Sequence, residues 1–189
     1  MQNILVAGRL TPEQAQALTT AAAHYPAVRL TVYTSNDQLI WPAAVDVIIG
    51  ELTDSAGLAA AMLAQDLVLV QLESRALVAQ TQSITAAMTA SPTAQLVLSM
   101  PQSVLTIAQQ PVKWYQHRQQ RQQLVAIRTV EQLLGQSQLN FTLIQGSTAA
   151  DTTVYNQAMS QTWTTAVPAR RPLALTDYLS PNFKLPFVA

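Results

Sequence analysis

Asn3-Ile4-Leu5-Val6-Ala7-Gly8-Arg9-Leu10-Thr11-Pro12-Glu13-Gln14 is the stretch on which the fold turns. Residues 3–7 form a short apolar run of the kind that is buried on both faces of a parallel sheet. Gly8 follows at the point where the chain must turn tightly. Thr11 then precedes Pro12, Glu13 and Gln14. That order supplies an N-cap hydroxyl, a proline at the first helical position, a carboxylate in the first turn and a Gln at N3. It predicts a helix with a capping box, over residues 12–24. A buried strand that feeds through a short loop into a capped helix is half of a βαβ unit.

Working outward, the unit repeats. Residues 29–34 (RLTVYT) carry the β-branched and aromatic residues that strands prefer, and 45–49 (VDVII) form a third run. Asp54 or Ser55 caps a helix through 64, and 67–71 (LVLVQ) read as a fourth strand. A helix over 75–90, a strand over 95–99, a long helix over 113–134 and a strand over 140–144 (NFTLI) complete the series. Alternation at this spacing implies right-handed crossovers and a mostly parallel sheet covered on both faces. The expected fold class is α/β: a doubly wound parallel sheet of order 3-2-1-4-5-6 in a three-layer αβα arrangement, Rossmann-like in plan. The expected organisation is one domain over 1–189. Its core sheet and helices occupy 1–150, and a Thr- and Pro-rich segment over 151–189 forms a small irregular cap on the C-terminal edge of the sheet.

Composition narrows the function classes. The chain has 189 residues, of which 49% are apolar and 11% charged, and its formal net charge is zero. Such a balance suits a globular domain and argues against broad electrostatic binding to nucleic acid or to an anionic membrane surface. With no cysteine, disulfides, thiolate metal sites and a Cys nucleophile are excluded. The N-terminal run is too short and lacks the basic flank of a secretion signal, and no apolar stretch approaches the ~20 residues of a membrane span. A soluble cytoplasmic protein is expected.

Several segments resemble one family. Residues 1–10 (MQNILVAGRL) are similar to the opening of atypical short-chain dehydrogenase/reductases of the NmrA-like type. Gly50-Glu51-Leu52-Thr53-Asp54 looks like that family's Gly-Asp-x-x-Asp segment after strand three, and Gln65-Asp66-Leu67-Val68 resembles its Gly-x-Asp-x-Val entry to strand four. Glu131-Gln132-Leu133-Leu134, with Ser137 and residues 139–144 (LNFTLI), is similar to its Glu-x-x-Leu-x-x-Ser-Gly-Leu-x-Tyr-Thr-x-Leu run. The resemblance covers about residues 1–150 and implies a dinucleotide-binding ancestry, with NAD or NADP as the implied cofactor.

The departures from that pattern matter as much. Dinucleotide sites use three glycines so that backbone can approach a pyrophosphate at a helix N-terminus. The matching positions here are Gly8, Thr11 and Gln14, so one glycine remains. The Thr11 cap takes up a backbone N–H that a phosphate would use, and Glu13 sets negative charge at the positive helix end. A structural helix start is therefore favoured over a working phosphate cradle, with Arg9 as the one residue able to pair a phosphate. After strand two, Thr34-Ser35-Asn36-Asp37 holds the place of the ribose-binding turn. Asp37 has the chemistry to meet ribose hydroxyls, whereas Asn-Asp after a strand is also ordinary turn chemistry. The resembled family often has Arg near Ser35. Residues expected to face a dinucleotide are thus Gly8, Arg9, Thr11, Ser35, Asp37 and Asp54.

No residue takes a catalytic role. Short-chain reductases commonly pair a Tyr acid with a Lys four residues later. This chain has two lysines, Lys113 and Lys184, preceded at that spacing by Gln109 and Ser180, and Tyr115 is followed by Gln119. Gln cannot supply the positive charge that tunes the phenol. After strand six the family's Arg-Pro-Gly becomes Gln145-Gly146-Ser147. Ser99 ends strand five, where the family often has a serine near substrate, but no His or Lys partner is evident. His24 and His117 lie on different helices, so no metal site is expected. Lys113-Trp114-Tyr115-Gln116-His117-Arg118-Gln119-Gln120-Arg121 gathers basic and aromatic groups at the start of the long helix. It is either a solvated face or a surface for a partner or an anionic ligand; the resemblance also implies a homodimer face, since helices in this region form dimer faces in many short-chain reductases. The expected function is a sensor, regulator or partner-binding module on a dinucleotide-binding scaffold; the alternative is an atypical NAD(P)-dependent oxidoreductase.

Overall fold

A computed structural model describes residues 2–91, 95–100, 117–137, 139 and 141–145. The expected cap over 151–189, the segment Lys113 to Gln116, and Gly146-Ser147 lie outside the described residues. Six strands form one parallel sheet: β1 (Gln2–Ala7), β2 (Val28–Thr34), β3 (Asp46–Ile49), β4 (Leu67–Gln71), β5 (Gln95–Met100) and β6 (Phe141–Gln145). Four helices are described: α1 (Pro12–His24), α2 (Ser55–Met62), α3 (Leu77–Ala90) and α4 (His117–Gln136).

The sheet order is β3-β2-β1-β4-β5-β6, as the alternation predicts. Register follows from the buried centre. Ile4, Val6 and Ala7 of β1 lie opposite Leu30, Val32 and Tyr33 of β2, and opposite Leu67, Leu69 and Val70 of β4. Successive side chains of a strand point to opposite faces, and two separate cores result. Ile4, Val6, Leu30, Val32, Leu67, Leu69 and Val97 pack under α1 through Ala17, Leu18 and Ala21. Leu5, Ala7, Val68, Val70, Leu96 and Leu98 pack under Leu58 and Met62 of α2, Ile84 and Met88 of α3, and Ile127, Val130 and Leu134 of α4. The sheet is therefore the middle layer of three. Each fully buried Leu, Ile or Val contributes on the order of 1.5–3 kcal/mol.

The ends of the sheet have different tasks. At the N-terminal edge, Asp66 accepts from Asn3 N at 2.7 Å and returns its own N–H to Asn3 O at 2.9 Å, while Asn3 Nδ2 donates to Ala64 O. This lock starts β1 and β4 in register, so the Asp of the Gln65-Asp66-Leu67-Val68 segment is a structural residue.

β3 departs from expectation. Its apolar run reads as a doubly buried strand, yet Val47, Ile48 and Ile49 are 37%, 39% and 57% exposed. It is an edge strand paired only with β2 and contributes no side chain to either core. Among the described residues, no helix is long and apolar enough to cross a membrane.

Candidate functional site

The loops that follow β1, β2, β3 and β4 lie at the C-terminal edge of the sheet. The order reverses between β1 and β4, and open α/β sheets bind ligands at that crevice. Gly8, Arg9 and Thr11 follow β1, Ser35 and Asp37 follow β2, and Asp54 follows β3. All six residues expected from the sequence therefore stand along one edge.

Gly8 is buried at φ +147°, a backbone conformation that L side chains rarely adopt. A Cβ here would sit 2.8 Å from Gln71 O and 3.0 Å from Gln71 Cβ. The surviving glycine is thus required by the close approach of β1 and β4. Its N–H already donates to Tyr33 O at 2.9 Å, continuing the β1–β2 pairing.

Thr11 forms the capping box that its sequence predicts. Its hydroxyl accepts from Gln14 N at 3.3 Å, and Gln14 Oε1 accepts from Thr11 N at 2.9 Å. Pro12 has no N–H to offer. The nearby Thr11 hydroxyl and the Glu13 backbone N–H favour the charged form of the Glu13 carboxylate and hold it below the ordinary carboxylate range. Of the donors that make a helix N-terminus attractive to phosphate, Thr11 N and Gln14 N are engaged in the capping box, and Glu13 adds a charge of the wrong sign. Three glycines at these positions would leave such donors open. The residues present do not fit a pyrophosphate held in that way.

The other loops are closed in the same manner. After β2, Asn36 N donates to Thr34 Oγ1 at 3.2 Å, Gln38 N to Asn36 Oδ1 at 3.2 Å, and Gln38 Nε2 to Asp37 Oδ1 at 3.0 Å. Ser35 is half-buried at the start of this turn and Asp37 is exposed. Asn36 Nδ2 also reaches across to Leu10 O at 3.0 Å, tying the β2 loop to the β1 loop. After β3, Asp54 is the N-cap of α2, and its Oδ1 accepts from Ala56 N and Gly57 N at 3.2 and 3.1 Å. After β4, Gln80 is buried and accepts from Glu73 N at 2.8 Å, while its Nε2 donates to Glu73 Oε1 at 3.3 Å.

Three residues of this edge are not among those expected from the sequence. Asn36 is readable only as part of a turn, because its bond to Leu10 O joins loops far apart in the chain. Gln71 ends β4 with a buried Oε1 that has no hydrogen-bond partner among the described residues. The lone polar residue closing the run LVLVQ is the signal that points to it. Tyr33 donates from its hydroxyl to Glu51 O at 3.2 Å and lies within the α2–α3 core. Burial, with the Asp54 and Glu51 carboxylates adding to it, raises its pKa above the usual phenol value.

His24 Nδ1 lies 2.7 Å from Thr20 O, one turn back in α1, and so donates to it. Ser99 is buried within β5, which runs on to Met100. No cluster of three metal-ligating side chains occurs among the described residues.

Residues 11–167, most of the chain, match the NAD(P)H-binding family. The chain belongs to that family. No curated protein matches the sequence. Among solved structures, the chain is similar to a Rossmann-fold NAD(P)-binding family protein from Shigella flexneri, with a TM-score of 0.63 at 16% identity over 85% of this chain and 87% of that one. The oxidoreductase ylbE from Lactococcus lactis gives 0.62 at 10% identity over 94% and 95%. A short-chain dehydrogenase/reductase from Veillonella parvula gives 0.57 at 20% identity over 77% and 69%. At these identities the likeness is one of fold.

Proposed function

We propose that this protein is a divergent, NmrA-like member of the NAD(P)H-binding family that works without reductase chemistry, as a sensor, regulator or partner-binding module. The observation that carries this reading is chemical. Reduction of a carbonyl needs a proton donor whose pKa is tuned toward neutrality, and the family's usual device is a cation one helical turn from a Tyr. The whole chain holds two lysines and neither lies four residues after a Tyr. Among the described residues, Tyr33 is the buried phenol at the site edge; its pKa is shifted the wrong way, away from neutrality, and its ring is turned into the core.

The assay that tests this follows nicotinamide absorbance with NADH and NADPH against a panel of aldehydes, ketones and quinones. The expected rate equals that without protein. Robust turnover of any pair overturns the reading. It would establish instead the second one, an atypical oxidoreductase that holds its cofactor through Gly8, Arg9 and backbone alone, which membership of the NAD(P)H-binding family favours.

A further inference from the structure

The turnover question leaves open whether the chain grips a dinucleotide at all, since a sensor binds without reacting. We propose that the α1 N-terminus is a self-occupied phosphate cradle: Thr11, Glu13 and Gln14 take the places of a diphosphate, and a dinucleotide is excluded from the family's usual diphosphate position. Three observations converge on it. Thr11 N and Gln14 N are engaged in the reciprocal capping box at 2.9 and 3.3 Å. Pro12 removes the donor between them. The Glu13 carboxylate, anionic like a phosphate, stands in the first turn of the helix, where it opposes a second anion.

Closure extends beyond the helix end. Asn36 Nδ2 on Leu10 O binds the second loop of the crevice to the first. Asp54 accepts from Ala56 N and Gly57 N at the start of α2, and Gln80 accepts from Glu73 N after β4. An incoming diphosphate would have to break the capping box and displace a like charge at one position.

The test uses the whole chain, labelled with ¹⁵N, titrated with ADP-ribose and, separately, with inorganic pyrophosphate to millimolar concentration. In the wild type the amide resonances of Thr11, Glu13 and Gln14 are expected to stay in place. Saturable shifts at those three amides in the wild type overturn the proposal. The companion variant T11G/E13A/Q14G restores a three-glycine loop and removes the charge. It is expected to bind ADP-ribose at least about tenfold more tightly than the wild type, a difference of about 1.4 kcal/mol, with shifts mapping to residues 9–14. A folded variant that binds no better overturns the claim that these side chains close the cradle. Should the variant lose its fold with its cap, the wild-type titration decides alone. Neither outcome depends on turnover, so the two proposals fail separately.

Discussion

The Tyr33 ring fills the space between the end of β2 and the first turn of α2, and two glycines exist to admit it. A Cβ on Gly50 would overlap the phenol, and one on Gly57 would stand 2.8 Å from its oxygen. Gly50→Ala is therefore expected to destabilise by about 1–3 kcal/mol through overpacking, and trimming the ring in Gly50→Ala/Tyr33→Leu recovers part of that loss in urea unfolding. Full recovery is not expected, because the bond to Glu51 O goes with the hydroxyl. Ionisation gives a second handle on the same residue. Because burial and the neighbouring carboxylates raise the Tyr33 pKa in the folded state, its contribution to stability is complete below the ordinary phenol value of about 10. It is lost as pH rises from there through the folded-state pKa. Tyr33→Phe should cost about 1 kcal/mol at neutral pH and flatten the alkaline limb of the stability profile. An alkaline limb that is unchanged in the variant contradicts the assignment.

Element scale is where sequence and structure agree most closely, and where the limits of the sequence show. The start of α1 was legible in full, because Thr-Pro-Glu-Gln encodes a cap, a start and a reciprocal bond locally. For α2 the sequence left Asp54 or Ser55 as the cap, and Asp54 takes it. α3 was legible in extent but not at its start, since Ala76 at its N-cap makes no side-chain bond. β3 was legible as a strand and illegible as an exposed one, because its apolar run does not say that the sheet ends there. The inward bonds of Asn36 and Asp37 were likewise beyond reach, as each residue type suits both ligand and turn. Two caps permit a direct check. Thr11→Ala and Asp54→Ala should each cost about 1 kcal/mol in chemical denaturation, with additive effects in the double variant because the caps share no partner. A Thr11→Ala variant as stable as the wild type would mean that the box is not formed.

For the molecule as a whole, a preserved scaffold carries a crivice whose donors are turned inward. The two cores, the sheet order and the lock between Asn3 and Asp66 maintain the architecture of the NAD(P)H-binding family. None of that requires the glycines of the diphosphate loop, so fold and ligand grip are separable here. The one retained glycine, Gly8, is explained by the approach of Gln71 without any ligand. The measurement that tests this most directly is thermal unfolding of the purified protein with and without millimolar NADH, NADPH, NAD and NADP. A ligand present at a hundred times its dissociation constant adds about 2.7 kcal/mol, and each kcal/mol moves the midpoint of a domain this size by roughly 2–4 °C. A closed cradle predicts no shift with any of the four. A rise of several degrees with one of them would contradict it and return the crevice to the family's usual use.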